Sequence, residues 1–581
     1  MSRTIRARIH ESAVKRVTRI YAATLADIFA ETLQNSRHAG ATRVRIAVSG
    51  SSRAPDAGEP YFTVTVADDG AGIADPAVLL SFGENGWDDA LVRREDAAGF
   101  GFASLARRNC AVSSRPRSTG EELPPGWRVE LAPEHFLGEV EAEVQAIDEA
   151  PNPYGTSISF IATESAVTIR NAAENAARHY PLPIVFEDRT EDDTTAPEEL
   201  PRHAFLDGTV HAEPWRGLVF GVFRSRRGEY NDPDLNFFGL TLTVGLPTVE
   251  TVHGPAWTVL ADVDDCPDLE LVLPARKEAV ENDFLEEMRE AARLAIYRAM
   301  AAHPNPRPAF EDWKRAREAG IDIAPSPALL RPWRPSIAET DFWRDPPKLA
   351  PVGAGALVMG CDPEPPGAQT LWRAAERDGI ATRLFEADRR LEGYAWYDGL
   401  DRMTALSVLV PTGDEWMDID DWPLPKRTRP GAARLPSRPA AIRIELAVRP
   451  SAGPSATLDI PTDLAFAGEA WCGLDDALPL VTVDSALQPH QLAVLLRNAF
   501  FSPSDDVEAD SWETQRDRFD EDALHLATRL LIGDDEACRQ SIAEAVRREL
   551  MWFVPDDRPV DIRIRRPDVT VTLAAAAEAA P

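Results

Sequence analysis

Three groups of residues near the start of the chain have the types and spacing that chemistry on a phosphorylated ligand would use. In Glu31-Thr-Leu-Gln-Asn35 a spacing of four puts the carboxylate and the amide one turn apart on one helix face. A carboxylate so placed could activate water, and the amide oxygen could ligate a hard cation that already carries phosphates. In Val66-Ala-Asp68-Asp69-Gly70-Ala71-Gly72-Ile73 two glycines follow an acidic pair, so the backbone can turn sharply and approach a flat ligand without Cβ clashes. A buried Asp68 could there accept a hydrogen bond from an exocyclic amine such as that of adenine. In Ala98-Gly99-Phe100-Gly101-Phe102-Ala103-Ser104-Leu105 glycines lead into an apolar-periodic stretch. Unpaired backbone N–H groups and the positive end of a helix dipole would suit phosphate oxygens at such a junction. The lysine of a P-loop is missing. Taken singly, each group also fits a plainer reading: a solvated helix face, a D-G turn, or a tight loop-to-helix junction.

The surrounding pattern supplies elements that would position these groups. Leu25, Ile28, Phe29 and Leu33 recur at helical spacing from Thr24 to Ala39, with Asp27, Glu31, Asn35 and His38 opposite. Alternating, β-branched runs predict strands at Val44–Val48, Phe62–Val66, Trp127–Leu131, Val140–Val144 and Thr156–Ala162. The expected class is α+β, an α/β sandwich with a mixed or antiparallel sheet. A second unit is expected from about Val167, strand-rich between Gly217 and Leu273, then a helix from about Asn282 to Met300 stopped by His-Pro-Asn-Pro. Residues 303–350, dense in proline and tryptophan, read as a linker. Beyond them, ALVMG, TLWRAAERDG and TRLFEA resemble a βαβ unit. Helices are expected near 488–500 and 517–552, and the acidic run Asp505, Asp506, Glu508, Asp510 between them reads as solvated surface.

The order and spacing of the three groups resemble those of the GHKL ATPases, the family of gyrase, HtpG-type chaperones, histidine kinases and MutL. The helix with E-x-x-x-N, the strand ending in DDGAGI, the GFGFAS segment and Gly155-Thr156 at a strand start follow that layout over about residues 20–165. The resemblance implies a Bergerat-type ATP-binding domain at 1–166, a transducer-like α/β domain at 167–302, the linker, and a C-terminal α/β domain at 351–581. It further implies that Glu31 is the general base for attack on the γ-phosphate and that Asn35 holds Mg²⁺. Asp68 would read adenine, with Thr156 beside it; Gly70 and Gly72 would let ATP approach closely, and Gly99, Gly101, Phe102 and Ser104 would cradle phosphates. The segment Leu79–Ala98 occupies the place of the mobile lid. Ala275-Arg276-Lys277-Glu278 resembles the S-R-E loop of HtpG-type chaperones, which makes Arg276 or Lys277 the candidate γ-phosphate cation. Gln34 departs from the aspartate that gyrase-type and MutL-type members often carry before the asparagine, and so loosens the assignment to a branch.

Bulk properties bound what such a site would serve. A chain of 581 residues exceeds one core and implies several domains. Its formal net charge of −33 opposes wholesale contact with phosphate backbones, so nucleic acid is not an expected partner and a DNA-repair or topology role ranks last among the readings. The five cysteines form no CxxC pair and read as reduced thiols of a cytoplasmic protein. No apolar run is long enough for a membrane span. By resemblance, the expected activity is ATP hydrolysis driving lid and homodimer closure, chaperone-like or regulatory, with a protein partner engaged by the C-terminal half. The alternative is a nucleotide-sensing scaffold that binds ATP with little hydrolysis.

Overall fold

The structure is a computed structural model that describes residues 24–50, 61–81, 101–118, 124–147, 154–190, 196–224, 233–272, 278–337, 347–422, 435–451, 453–468, 473–475, 477–504, 506, 508–556 and 558–574. Helices and mixed sheets make it an α+β protein. The chain divides into two compact units, Met1–Ser326 and Pro327–Pro581.

Among the described residues the first unit holds two sheets. Helix α1 (Leu25–His38) starts from a capping box in which Thr24 Oγ1 accepts from Asp27 N–H and the Asp27 carboxylate accepts from Thr24 N–H. Strands β1 (Val44–Ser49), β2 (Phe62–Asp68), β3 (Cys110–Arg115), β4 (Gly126–Leu131), β5 (Val144–Ile147), β6 (Gly155–Ala162), β7 (Ile184–Arg189) and β8 (Glu198–Glu199) form an eight-stranded sheet in the order β5-β4-β3-β6-β2-β1-β7-β8. Only β1 and β7 run parallel. Alternate residues Val44, Ile46, Val48, Val64, Val66, Ile158 and Phe160 form one apolar face. Helix α1 and helix α2 (Ala166–Ala177) complete that core through Ile28, Phe29, Leu33, Ile169 and Ala173, with Phe29 set edge-on to Phe160. The other face is polar, and Thr65 and Ser159 share a hydroxyl hydrogen bond of 2.8 Å across it.

A second sheet, β12-β11-β14-β10-β9 with β13 on β14, comprises β9 (His211–Trp215), β10 (Leu218–Arg224), β11 (Leu235–Phe237), β12 (Leu240–Leu242), β13 (Thr248–Val249) and β14 (Trp257–Val263). Helix α3 (Asp283–Ala301) buries Leu285, Met288, Ala292 and Ile296 against it.

Three expected boundaries move. The strand at 140–144 lies instead at Val144–Ile147, beside β4. The first sheet does not end at 166: α2 packs on α1, and β7 lies parallel to β1 because the apolar Ile184 and Phe186 complete the same buried face. Residues 303–350 are not all linker. Helix α4 (Phe310–Glu318) places Ala316 in the second core, Ile323 follows it, and Trp313 Nε1 donates to Ile323 O at 3.1 Å.

The second unit contains β15 (Leu329–Leu330), β16 (Ala350–Pro351), β17 (Leu357–Met359), helix α5 (Pro365–Asp378) and β18 (Leu384–Glu386), with β17 and β18 parallel on either side of α5. Strands β19 (Asp401–Thr412), β20 (Glu415–Asp418), β21 (Ile442–Arg449) and β22 (Ala456–Thr462) extend that sheet. A ladder of β23 (Leu464–Ala467) and β24 (Leu478–Val481) precedes α6 (Pro489–Phe500), α7 (Trp512–Leu531) and α8 (Asp534–Glu549). The helix expected at 517–552 is thus two, broken at Gly533, whose φ of +122° suits glycine. A hairpin of β25 (Val560–Arg565) and β26 (Asp568–Leu573) follows.

Candidate functional site

Strand β2 delivers Asp68 to its C-terminal end, beneath α1 and beside the start of β6. The residue is 8% exposed, and its carboxylate accepts from Gly70 N–H at 2.9 Å, Ser36 Oγ–H at 3.2 Å and Thr156 N–H at 3.4 Å. Burial pushes its pKa above the ordinary aspartate value despite these three donors. Asp69 does a different job from its neighbour. It accepts from Thr42 N–H at 2.7 Å, Thr42 Oγ1–H at 2.5 Å and Arg43 N–H at 3.1 Å. Burial alone would raise its pKa, but these hydrogen bonds outweigh it and hold the carboxyl below its usual range. The acidic pair therefore separates into a buried acceptor and a brace for the turn after α1.

The next convergence is at Gly101. This residue opens a 3₁₀ turn, Gly101–Leu105, that packs on α1. A Cβ built on Gly101 would lie 2.5 Å from Glu31 Oε2 and 3.5 Å from Asn35 Nδ2, so the expected acid, amide and glycine face one another at contact distance. Glu31 and Asn35 are both half-buried. The expected α-helical start here is a single 3₁₀ turn, because β3 begins at Cys110 and leaves no length for a longer helix. Phe102 stacks on Phe136 with ring centroids 5.8 Å apart, and Ser104 is buried.

Gly70 and Gly72 make room for protein backbone. A Cβ on Gly70 would lie 2.9 Å from Ala39 O, and one on Gly72 only 2.3 Å from Arg115 O. Gly72 also has a φ of +71°, which other residues adopt with strain. The DDGAGI loop is held on both sides, by Ala71 N–H to Ala39 O at 2.8 Å and Arg117 N–H to Ala71 O at 2.8 Å.

Two residues central to this arrangement stand outside the expected set. Ser36 donates to Asp68 from the turn of α1 that also carries Asn35. Ser114 accepts from Ile73 N–H at 2.8 Å, donates to Gly155 O at 3.0 Å and lies 3.1 Å from Thr156 Oγ1. The signal for Ser114 is its place in the alternation: Cys110 and Val112 point into the core, and a serine takes the third inward position. Gly99, Arg276, Lys277 and residues 82–98 of the expected lid lie outside the described residues. Among the described residues no cluster of three or more His, Cys, Asp or Glu is placed to hold a metal ion, and no helix is long and apolar enough to cross a membrane.

No protein-family model matches the chain. No curated protein matches it either. Among solved structures 98 chains match. One, described as the crystal structure of the N-terminal domain of a DNA repair protein, is 13% identical and covers 38% of this chain and 70% of its own, with a TM-score of 0.22. A likeness of that TM-score bears on neither fold nor activity.

Proposed function

We propose that the first unit binds ATP with Mg²⁺ in a Bergerat-type site of the GHKL kind, hydrolyses it, and uses the cycle as a conformational switch of chaperone-like or regulatory character. One observation carries this reading. Residues far apart in sequence meet in two adjoining places: Asp68 with Ser36, Gly70 and Thr156, and Gly101 with Glu31 and Asn35.

In this reading the buried Asp68 accepts from the exocyclic amine of adenine, an interaction strengthened where water is excluded. Glu31 is the general base that takes a proton from the attacking water. A hard cation held mostly by phosphate and water needs few protein ligands, and Asn35 Oδ1 beside a carboxylate suits it. Bound Mg²⁺ would neutralise phosphate charge. The backbone of 101–105 would face the phosphates, and Gly99, Arg276 and Lys277 keep the roles that the resemblance implies. Closure of two protomers and a protein partner for the second unit belong to the same proposal.

Phosphate release by the wild type and by Glu31→Ala tests hydrolysis. Loss of a general base should lower turnover about 100-fold or more while ATP still binds. A wild type that binds ATP and releases no phosphate would replace the hydrolase with a nucleotide-sensing scaffold.

A further inference from the structure

The flank of α1 beside the Glu31–Asn35 face is fastened to the second sheet, and Gln34 makes the side-chain hydrogen bonds that do it. Gln34 is 4% exposed, and its Nε2 donates towards Phe238 O at 3.0 Å and Phe237 O at 3.3 Å. Its Oε1 accepts from Arg37 Nη2 at 3.1 Å and Nε at 3.3 Å, and the Arg37 guanidinium lies 3.8 Å over the Phe238 ring. The turn so gripped is conformationally costly, since Phe238 has a φ of +54°, where a residue with a Cβ is strained. Gly239 follows at φ +96°, and a Cβ there would lie 2.9 Å from Tyr180 Cα. Tyr180 in turn donates to Leu33 O at 2.6 Å. The turn continues into the sheet through Gly239 N–H to Asn236 Oδ1 at 2.9 Å and Asn236 Nδ2 to Asp262 Oδ1 at 2.7 Å, on β14.

From this geometry we infer that Gln34 is a positioning residue. It sets the rotation of α1, and hence the aim of Glu31 and Asn35 at Gly101, and makes the Phe237–Gly239 turn respond to the occupant of the site. The inference rests on the nucleotide reading above. A helix turns as a rigid body over one turn, so Glu31 and Asn35 cannot swing about the axis without lengthening the Gln34 bonds to Phe237 O and Phe238 O. Those carbonyls receive the amide of a side chain that is itself almost fully buried, so the set position is preferred over one that breaks the bonds. A cavity of about 160 Å³ adjoins the contact, lined by Ala26, Ala30, Ala172 and Thr241 among others, and gives α1 room to shift on that side.

The test compares the full-length wild type, Gln34→Ala and Gln34→Glu by three readouts. These are affinity for a non-hydrolysable ATP analogue, kcat and KM for phosphate release, and hydrogen exchange of amides 235–242 with and without the analogue. In the wild type the analogue should change exchange at 235–242. In Gln34→Ala affinity and KM should stay within about threefold, kcat should fall at least tenfold, and the exchange response should vanish. Gln34→Glu turns carboxylate oxygens towards two carbonyls and should behave like Gln34→Ala. If Gln34→Ala does not fold, Gln34→Met, which keeps most of the side-chain volume and removes the amide, should give the same pattern. Wild-type turnover and exchange response retained in the variants, even with a lower melting temperature, overturn the inference and leave the nucleotide reading standing. A wild type that binds no ATP overturns both.

Discussion

Asp68 in the first unit and Asp463 in the second are both buried aspartates at strand ends, and they are held in opposite ways. Asp463, 4% exposed, takes a two-pronged grip from Arg373 at 3.0 Å on each oxygen, a further contact from Arg377 at 3.1 Å and a hydrogen bond from Ser485 at 2.8 Å. Burial alone would raise its pKa, but the hydrogen bonds from Arg373 and Ser485 and the two arginine charges bring it below the ordinary value. Asp68 is held by the N–H of Gly70, the hydroxyl of Ser36 and the N–H of Thr156, and burial leaves its pKa raised. The first arrangement compensates its charge and serves the fold. The second leaves burial dominant over its hydrogen bonds, which is common at sites that work on a ligand.

The sharpest way to break this contrast is Asp463→Ala, which strands Arg373 at the α5–β23 contact. Asp463 is buried but Arg373 keeps part of its hydration. The loss should therefore lie below the ~3–5 kcal/mol typical of a fully buried pair, at about 2–3 kcal/mol, and the second unit should unfold at lower denaturant concentration while ATP affinity is unchanged. A loss below about 1 kcal/mol would mean that the pair is not structural.

Asp68→Asn should do the reverse. It removes a charge that burial disfavours, so stability should stay within about 1 kcal/mol, while ATP affinity should fall about 10- to 100-fold with loss of a charged acceptor.

Acid should separate the two carboxyls further. Asp68 binds protons more tightly folded than unfolded; its charge costs stability at neutral pH, and that cost fades as pH falls through its raised pKa. Asp463 binds protons less tightly folded. Its contribution is complete above the unfolded aspartate pKa of about 3.9 and is lost as pH falls through the depressed folded value. ATP affinity should therefore weaken at a higher pH than the second unit's stability, which parallel titrations by calorimetry and circular dichroism would check.

The smallest effect comes from deleting the two serines. Ser485→Ala leaves Asp463 with both arginines and should cost under about 1 kcal/mol. Ser36→Ala should raise the Asp68 pKa further and shift the acid limb of ATP binding upwards, with little change in melting temperature.

How much of this was legible in the sequence follows from what each residue contacts. The spacing of Leu25, Ile28, Phe29 and Leu33 revealed α1, and strict alternation revealed β1, β2 and β6, because those patterns record burial against one sheet face. The juxtaposition of Glu31, Asn35 and Gly101 could be expected only from resemblance, since nothing in the spacing says that a 3₁₀ turn packs on α1. Gln34 stood out merely as a departure from the family pattern. Its partners are backbone carbonyls at Phe237 and Phe238, which no side-chain motif announces. The separate duties of Asp68 and Asp69 were hidden for a similar reason, because Thr42 and Arg43 engage Asp69 largely through backbone N–H groups. The hairpin β25–β26 carries a clear period-two signal, Val560, Ile562 and Ile564 opposite Leu573, Val571 and Val569, which marks two strands but no chemistry.

The most direct test of the proposed ATP site is isothermal titration of wild type and Asp68→Asn with a non-hydrolysable ATP analogue and Mg²⁺. Saturable binding by the wild type, weakened at least tenfold in a folded Asp68→Asn, is the predicted result; equal binding by the two proteins, or none by the wild type, would contradict it.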